Sequence, residues 1–382
     1  MFNIILLGIT SLLTDISSEM VYPILPVFLV TVLGASPAIL GLIEGIAESL
    51  ASLLKVFSGY FSDKIKQRRP FAIFGYSASC FGKLFLYVAN SWGIVLLARV
   101  VDRFGKGIRT APRDALIGDS SKDGARGASF GLHRAMDTFG AVIGISIAYF
   151  LLKPPEANMR RVFFFSLIPA LLGVIFLFFV REKRTGKAVI REKEKISLRW
   201  SALDKRLKLF FAFTFIFTLG NSSNQFLLLR AKNLGGSIPQ VILFYLAYNI
   251  VYALTTYPVS RISDRVGRKT IIVCGYFFYG IVYLAFALCG SISLLWILFG
   301  LYGLYSAFTE GVEKALVVDL AQANVRATAI GMHATLVGLG LFPASLLAGL
   351  LWKFLGASAP FYFGSFMGFV SCVGFWFVLK GV

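Results

Sequence analysis

Long apolar stretches recur along the whole chain and limit what it can fold into. A bilayer core of about 30 Å is crossed by about 20 helical residues, and twelve stretches reach that length. These spans, numbered 1 to 12, cover approximately residues 3–32, 37–61, 71–90, 92–115, 128–152, 161–180, 207–230, 238–260, 270–289, 293–318, 327–352 and 355–379. Charged residues make up only 15% of the chain, against about 25% in soluble proteins. The sequence therefore predicts an all-α membrane protein with twelve transmembrane helices.

The placement of Lys and Arg orients these spans. Connections after odd-numbered spans hold six of them, whereas the opposite side holds 25, of which eleven lie between Arg181 and Lys208. Because cytoplasmic loops carry the basic excess, we expect both termini to be cytoplasmic and the protein to lie in the inner (cell) membrane. The net charge of +19 is then an orientation signal and a contact with lipid headgroups, and no nucleic acid is expected as a partner.

The two halves of the sequence match each other at an offset of about 200 residues. The matching segments are 114–119 with 314–319 and 126–133 with 326–333. We therefore predict two six-helix bundles, at 1–180 and 207–382, joined by a cytoplasmic linker at 181–206. Parallel repeats of this kind are related by a pseudo-twofold axis along the membrane normal, with a substrate site between the bundles near the bilayer midplane.

Two repeat-related loops carry a short charged motif. The loop after span 2 reads Gly59-Tyr-Phe-Ser-Asp63-Lys-Ile-Lys66-Gln-Arg68-Arg, and the loop after span 8 reads Ser260-Arg-Ile-Ser-Asp264-Arg-Val-Gly-Arg268-Lys. Both resemble the Gly-x-x-x-Asp-Arg/Lys-x-Gly-Arg/Lys-Arg/Lys loop of the major facilitator superfamily. Residues 103–111 of span 4 are similar to that family's Arg-x-x-x-Gly-x-Gly-x-Ala motif. Lys66 and Ser260 stand where the loop motif has glycine.

The resemblance implies that these loops form a cytoplasmic gate. An acid that caps a neighbouring helix, or pairs with a basic residue, makes a latch that depends on conformation. The alternative is a simple turn that carries positive charge on the cytoplasmic side. The gate residues implied by the resemblance are Gly59, Asp63, Arg68, Asp264, Arg268, Arg126 and Arg326.

Charged residues at membrane depth are concentrated in the first half. Because a charge is costly in hydrocarbon, each is a candidate functional residue. Two pairs of acids have a four-residue spacing, so each pair shares one helix face. They are Asp15 with Glu19 on span 1 and Glu44 with Glu48 on span 2. Span 4 adds a charged stripe within an arc of about 120°, formed by Arg99, Asp102, Arg103, Lys106, Arg109 and Arg113.

We expect the acids of spans 1 and 2 to face the interior and to meet the stripe on span 4. Two interpretations of that network stay open. In one, the charges neutralise each other and fix helix packing. In the other, the network also couples transport to protons, because the proton affinity of a buried carboxylate beside a movable arginine depends on its surroundings. The predicted coupling residues are Asp15, Glu19, Glu44, Glu48, Asp102 and Arg103.

The predicted substrate site combines polar residues of the second half with two bases of span 4. Span 7 carries the run Asn221-Ser-Ser-Asn224-Gln225 at mid-helix, which lines a cavity or makes interhelical hydrogen bonds. The predicted substrate-binding residues are Arg99, Lys106, Asn221, Asn224, Gln225, Tyr248, Asn249 and Glu310. The repeat-related His133 and His333 form a proton relay, bind a metal, or make local hydrogen bonds, and the sequence leaves these three roles open.

Together these features predict a secondary active transporter that exports a small solute by alternating access, as a proton-coupled antiporter. The alternatives are ferroportin-like efflux of metal ions or metal chelates, and a non-transporting membrane receptor of the same fold. The expected partners are a small-molecule substrate, protons and the lipid bilayer, and the protein is expected to be a monomer. No enzyme activity, cofactor or metal site is expected, because the sequence has no Walker loop, HExxH motif or nucleophile elbow.

Overall fold

The structure, a computed structural model, describes residues 2–65, 67–121, 126–152, 158–182, 205–321 and 326–378. These residues are almost entirely helical and include no strand. Helices of the first half are α1 (Phe2–Val21), α2 (Leu25–Val27), α3 (Pro37–Ile65), α4 (Arg69–Tyr87), α5 (Trp92–Ser120), α6 (Arg126–Leu151) and α7 (Met159–Leu177). Helices of the second half are α8 (Lys205–Gly220), α9 (Gln225–Asn233), α10 (Ile238–Val266), α11 (Arg268–Leu288), α12 (Leu295–Leu320), α13 (Arg326–Leu355) and α14 (Ala359–Val378).

These helices follow the predicted spans, with two interruptions. Span 1 is interrupted by a turn at 22–24, where Pro23 lacks the N–H that a continuing helix needs, and α2 then leads into a π-helical turn at Phe28–Val32. Span 7 is interrupted between α8 and α9. Its Asn and Ser side chains compete with the helical hydrogen bonds of the backbone, so the prediction that this run continues a helix was wrong.

Membrane-spanning character is visible directly in eight helical segments of the described residues, which are long and apolar enough to cross a bilayer. They are Phe2–Val32, Ser129–Leu151, Met159–Leu177, Ile238–Val266, Arg268–Leu288, Ile292–Leu320, Ala329–Leu355 and Ala359–Phe377. The spans predicted on α3, α4, α5 and α8–α9 are also helical but fall outside this criterion, and α8 and α9 have only 16 and nine residues. The helical membrane architecture is confirmed, and the number twelve stays a prediction.

The internal repeat is visible in the helix boundaries. Corresponding helices of the two halves begin about 200 residues apart. The paired starts are Pro37 with Ile238, Arg69 with Arg268, Arg126 with Arg326, and Met159 with Ala359. Both halves therefore repeat one order of helices and turns.

Two compact units divide the chain. Unit 1 comprises Met1–Gly186 and Gly236–Leu246, and unit 2 comprises Lys187–Gly235 and Ala247–Val382. The first residues of α10, including Tyr245, therefore belong to unit 1. Residues 183–204, which form most of the linker predicted at 181–206, lie outside the described residues, and the domain boundaries stay a prediction.

Within unit 1, two glycines let α5 pack closely against both α3 and α4. A Cβ atom at Gly105 would lie 2.8 Å from Ser79 Oγ of α4, and one at Gly107 would lie 2.6 Å from Leu54 Cβ of α3. Small residues of this kind allow membrane helices to approach each other closely. This packing brings the charged side chains of α5 into contact with α3 and α4.

Candidate functional site

A cluster of charged side chains joins α3, α4 and α5 in unit 1. We call it the ion network, and it consists of Glu44, Glu48, Lys83, Arg99, Asp102 and Arg103. At its centre, Arg99 donates from Nε to Glu44 Oε1 over 2.8 Å, and Arg99 Nη2 lies 2.7 Å from the same oxygen. Glu44 is fully buried and Arg99 is 4% exposed, so this contact is sealed from solvent. Three acids face three bases, which balances the formal charge.

Glu48 occupies the open side of the network. Its Oε1 lies 3.2 Å from Arg103 Nη2 and 3.7 Å from Arg99 Nη2, so two guanidinium groups share it. The Glu48 side chain is 29% exposed, more than any other in the ion network. Glu48 is therefore the network acid that a proton from solution reaches most readily.

Sequence reasoning missed Lys83, which is 3% exposed on α4. Lys83 Nζ lies 3.4 Å from Asp102 Oδ1, and the other oxygen of Asp102 lies 3.8 Å from both Arg99 Nη1 and Arg103 Nε. The signal was available, because a lone lysine inside the apolar span 71–90 has the same cost as the charges that were noticed. Asp102 thus links α4 to the network.

The remaining bases of the predicted stripe point to different neighbours. Arg109 Nη1 donates to Ser79 Oγ over 2.6 Å, and its guanidinium lies 4.2 Å from the centre of the Tyr76 ring. Arg113 donates to Asp114 over 2.8 Å and to Ser11 of α1 over 3.3 Å. The side chain of Lys106 is exposed and makes no hydrogen bond or ion pair with the residues that the structure describes.

The acids of α1 make no ion pair with the ion network among the described residues. Glu19 accepts a hydrogen bond from Tyr245 Oη over 3.0 Å, and Asp15 makes no hydrogen bond with any described residue. Both are half-buried, and neither has a base within 4.0 Å in the described part of the chain. The charged groups whose fields reach Asp15 are two acids, Asp137 and Glu19, and two bases, Lys106 and Arg109. Ion pairs with the span 4 stripe are therefore present for the acids of span 2 and absent, among the described residues, for those of span 1.

Unit 2 contains a cavity of about 210 Å³ that we call the tyrosine cavity. Four of the predicted substrate-binding residues line it, namely Asn221, Asn224, Tyr248 and Glu310. Gln225 and Asn249 do not line it. Predicted substrate residues Arg99 and Lys106 belong to unit 1, where Arg99 is engaged by Glu44.

The break between α8 and α9 positions two side chains against the tyrosines of α12. Tyr302 Oη donates to Asn224 Oδ1 over 2.7 Å, and Asn221 Nδ2 donates to Tyr305 Oη over 3.2 Å. Tyr302 and Tyr305 were missed from sequence, although their three-residue spacing places them on one helix face. The non-helical backbone at 221–224 thus places its amides in the cavity wall.

Two glutamates of α12 complete the cavity wall. Glu313 accepts a hydrogen bond from Tyr276 Oη over 2.7 Å, and its Oε2 lies 3.5 Å from His333 Nε2. Glu310 accepts a hydrogen bond from Tyr252 Oη. In the other half, His133 Nδ1 lies 3.5 Å from Asp137 Oδ2, so each histidine contacts one acid. Among the described residues, no three His, Cys, Asp or Glu residues are grouped in a way that could hold a metal.

The predicted gate contains a contact that occurs in both units. Arg268 Nη1 lies 2.7 Å from the carbonyl oxygen of Ala315 and 2.6 Å from Asp319 Oδ2. Arg68 Nη1 likewise contacts the carbonyl of Ala115, over 3.1 Å, and the carboxylate of Asp119. Sequence reasoning identified both arginines but not their acid partners, although Asp119 and Asp319 align in the repeat.

Of the other predicted gate residues, the structure describes the surroundings of Asp264 and Gly59. Asp264 Oδ1 lies 3.4 Å from Arg268 Nη2, and a Cβ atom at Gly59 would lie 3.3 Å from Ala111 Cβ of α5. The side chains of Asp63, Arg126 and Arg326 lie outside the described part of the structure, so their predicted contacts stay predictions.

Comparison with known proteins agrees with this architecture. The model of the Major Facilitator Superfamily matches residues 7–230 and 209–381. The MFS-type transporter MJ1317 of Methanocaldococcus jannaschii is 40% identical over 377 residues, which cover 97% of this chain and 93% of that protein. The multidrug resistance protein MdtH of Photorhabdus laumondii is 24% identical over 342 residues, covering 86% of this chain and 82% of MdtH.

A solved structure shows the same fold at low sequence identity. The nucleoside transporter NupG superimposes with a TM-score of 0.82 at 14% identity, and the match covers 100% of both chains. This likeness concerns the fold alone. The family match over both halves and the similarity to MJ1317 lead to one conclusion: the chain belongs to the Major Facilitator Superfamily and is a membrane transporter of a small solute.

Proposed function

We propose that this transporter is a proton-coupled exporter that works by alternating access. Proton coupling is supported by a difference between two sets of acids in unit 1, one paired with a base and the other not, in the described part of the chain. Glu44 is held by Arg99, whereas Asp15 and Glu19 have no base within ion-pair distance among the described residues. A half-buried carboxylate without a base in direct contact is costly to keep ionised, and binding a proton removes that cost. Asp15 and Glu19 are therefore the proposed proton carriers.

The ion network is the second place where we propose that a proton acts. Glu48 is shared by Arg99 and Arg103 and is the most exposed network acid. A proton bound by Glu48 weakens its hold on Arg103, which is then free to turn toward another acid. Asp102 stays in contact with Lys83 and both arginines, while the protonated network carries one net positive charge. The Glu44–Arg99 contact is fully buried, so we assign it to helix packing and not to proton transfer.

The arginine–aspartate contact that occurs in both units, which we call the latch, supports the proposal of alternating access. Arg68 with Asp119 joins α4 to the end of α5, and Arg268 with Asp319 joins α11 to the end of α12. If both termini are cytoplasmic, as the distribution of Lys and Arg predicts, both latches face the cytoplasm. The latches then hold each helix pair together while the cytoplasmic side is closed.

Export is supported by the similarity to MdtH. MdtH is named a multidrug resistance protein, and removal of a toxic solute requires outward movement. Metal efflux has less support, because the described residues offer no cluster of three His, Cys, Asp or Glu for a metal cargo. A non-transporting receptor has no support from the family match.

Proteoliposomes with a trapped pH-sensitive dye test the coupling proposal before the solute is identified. A panel of small cations, anions and neutral compounds is added to vesicles that hold an acidic interior. We expect one chemical class to release protons through the wild-type protein, and Asp15→Asn and Glu19→Gln to abolish that release. Asp114→Asn, which removes a carboxylate paired with the adjacent Arg113, serves as the matched control. Solute movement without proton movement in the wild type would overturn the proposal.

A further inference from the structure

The described lining of the tyrosine cavity in unit 2 is acidic. Glu310 and Glu313 both line it, and its lining includes no Lys or Arg among the residues that the structure describes. In the described part of the chain, neither glutamate has a Lys or Arg within ion-pair distance. His333 lies 3.5 Å from Glu313, and even a protonated His333 would leave the charge of Glu310 uncompensated. The cavity is therefore negatively charged.

Three tyrosine rings stand beside these carboxylates. The Tyr302 ring centre lies 5.4 Å from that of Tyr248 and 5.3 Å from that of Tyr305. Hydrogen bonds to Asn224 and Asn221 hold two of the hydroxyl groups. The face of an aromatic ring attracts a cation, by about 0.5–1 kcal/mol at exposed sites and more where water is excluded. The rings and the carboxylates thus favour the same sign of charge.

The volume of the cavity and its other lining residues further restrict which ligands can bind there. A volume of about 210 Å³ is below the range of about 300–1,000 Å³ that drug-sized ligands need. Phe217, Val337 and Leu341 add apolar lining, which suits an occupant with an apolar body. A bare divalent ion fits less well, because Ca²⁺ takes about 6–8 oxygen ligands and Mg²⁺ about six.

We propose that the tyrosine cavity binds a small organic cation with an apolar body, on the scale of a single-ring ammonium compound. Glu310 and Glu313 supply the counter-charge, and the rings of Tyr248, Tyr302 and Tyr305 contact the cationic group. That this cation is the transported solute rests on the proposed function, whereas the binding itself does not.

Equilibrium dialysis of the purified protein with radiolabelled phenyltrimethylammonium tests the charge requirement. This probe carries a permanent charge, tert-butylbenzene is its neutral isostere, and benzenesulfonate is an anion of similar size. We expect the labelled cation to bind and unlabelled cation to displace it, whereas the neutral isostere and the anion do not. Displacement by benzenesulfonate or tert-butylbenzene at the same concentration, or absence of binding, would overturn the proposal.

Substitutions test whether the cation binds in the tyrosine cavity. Glu310→Gln and Glu313→Gln each keep the side-chain shape and should weaken binding at least tenfold, and Tyr302→Leu should do the same by removing a ring. Tyr257→Leu is the matched control, because Tyr257 is 73% exposed on α10 and does not line the cavity. Glu310 is exposed, so its variant reports on binding even if Glu313→Gln does not fold. Wild-type affinity in both glutamate variants contradicts the assignment.

The two proposals fail in different ways. Dialysis involves no gradient, so it reports on cation binding alone. If the cation binds but its transport moves no protons, the coupling proposal fails and the binding site stands. If only anions or neutral compounds bind and release protons from vesicles, the cation site fails and the proposed function stands.

Discussion

Arg268 of α11 lies 2.6 Å from Asp319 at the end of α12, and this contact is a copy of one in the first half of the chain. Arg68 and Asp119, each 200 positions earlier, form the same pair between α4 and α5. Each arginine also donates to a backbone carbonyl, at Ala315 and Ala115. The duplication has therefore preserved a side-chain contact as well as a sequence motif.

Asp319→Asn tests whether this latch matters for transport. The Asp319 side chain is 51% exposed, so its loss should change the free energy of unfolding by no more than about 1 kcal/mol. We expect the transport rate to fall several-fold, because the closed cytoplasmic state loses a charge-assisted hydrogen bond. Asp119→Asn should act in the same direction. Unchanged flux in both variants would reduce the latch to a surface ion pair.

Asp63→Ala tests the gate that the loop motif implies. We expect lower transport with normal expression, because the motif acid would latch the cytoplasmic side and would not hold up the core. Flux is measured in proteoliposomes with equal amounts of wild-type and variant protein. Wild-type flux for Asp63→Ala would support the simple-turn interpretation instead.

Glu44→Gln tests the fixed part of the ion network. It removes the nearest carboxylate of the buried Arg99 and leaves only the longer contacts to Glu48 and Asp102, and breaking a buried pair costs up to about 3–5 kcal/mol. Glu48→Gln should cost less, because its side chain is 29% exposed and shares its arginines with other acids. Thermal unfolding of the purified variants measures both effects. A smaller loss for Glu44→Gln than for Glu48→Gln would contradict the assignment of Glu44 to packing.

Gly105→Ala tests the close packing of α5 on α4. The new Cβ atom would lie 2.8 Å from Ser79 Oγ and 2.9 Å from Ser79 N, so one helix must shift, at about 1–3 kcal/mol. Gly118→Ala on the same helix is the matched control, because no described atom outside the adjoining backbone of its own helix lies within 4 Å of its added Cβ. That variant should be neutral or stabilising, since alanine favours a helix over glycine by about 0.5–1 kcal/mol. Equal thermal stability of the two variants would refute the packing argument.

The fold could be predicted from sequence because a bilayer allows few alternatives. A backbone in hydrocarbon must satisfy its own hydrogen bonds, so long apolar stretches become helices and a repeat in sequence becomes a repeat in helix order. The helix break at Asn221–Asn224 was missed because hydropathy averages over a window and hides a four-residue polar run. Pro23 was a visible signal for the other interruption.

The site could be predicted only where one helix face decides the contact. The four-residue spacing of Glu44 and Glu48 placed both against arginines of α5. Glu19 has the same spacing from Asp15, yet it contacts Tyr245, a residue 226 positions away. Such partners are set by how helices pack against one another, and periodicity along a single helix carries no information about them.

The most direct test of proton coupling compares two modes of transport in Glu19→Gln and Glu48→Gln. One is movement of the solute driven by a pH gradient, and the other is counterflow, in which labelled and unlabelled solute exchange without a gradient. Our account predicts that the wild type supports both modes, and that each variant loses gradient-driven movement but keeps measurable counterflow. Gradient-driven transport that survives both substitutions would contradict the account, and the acids would then belong to packing or to substrate contact.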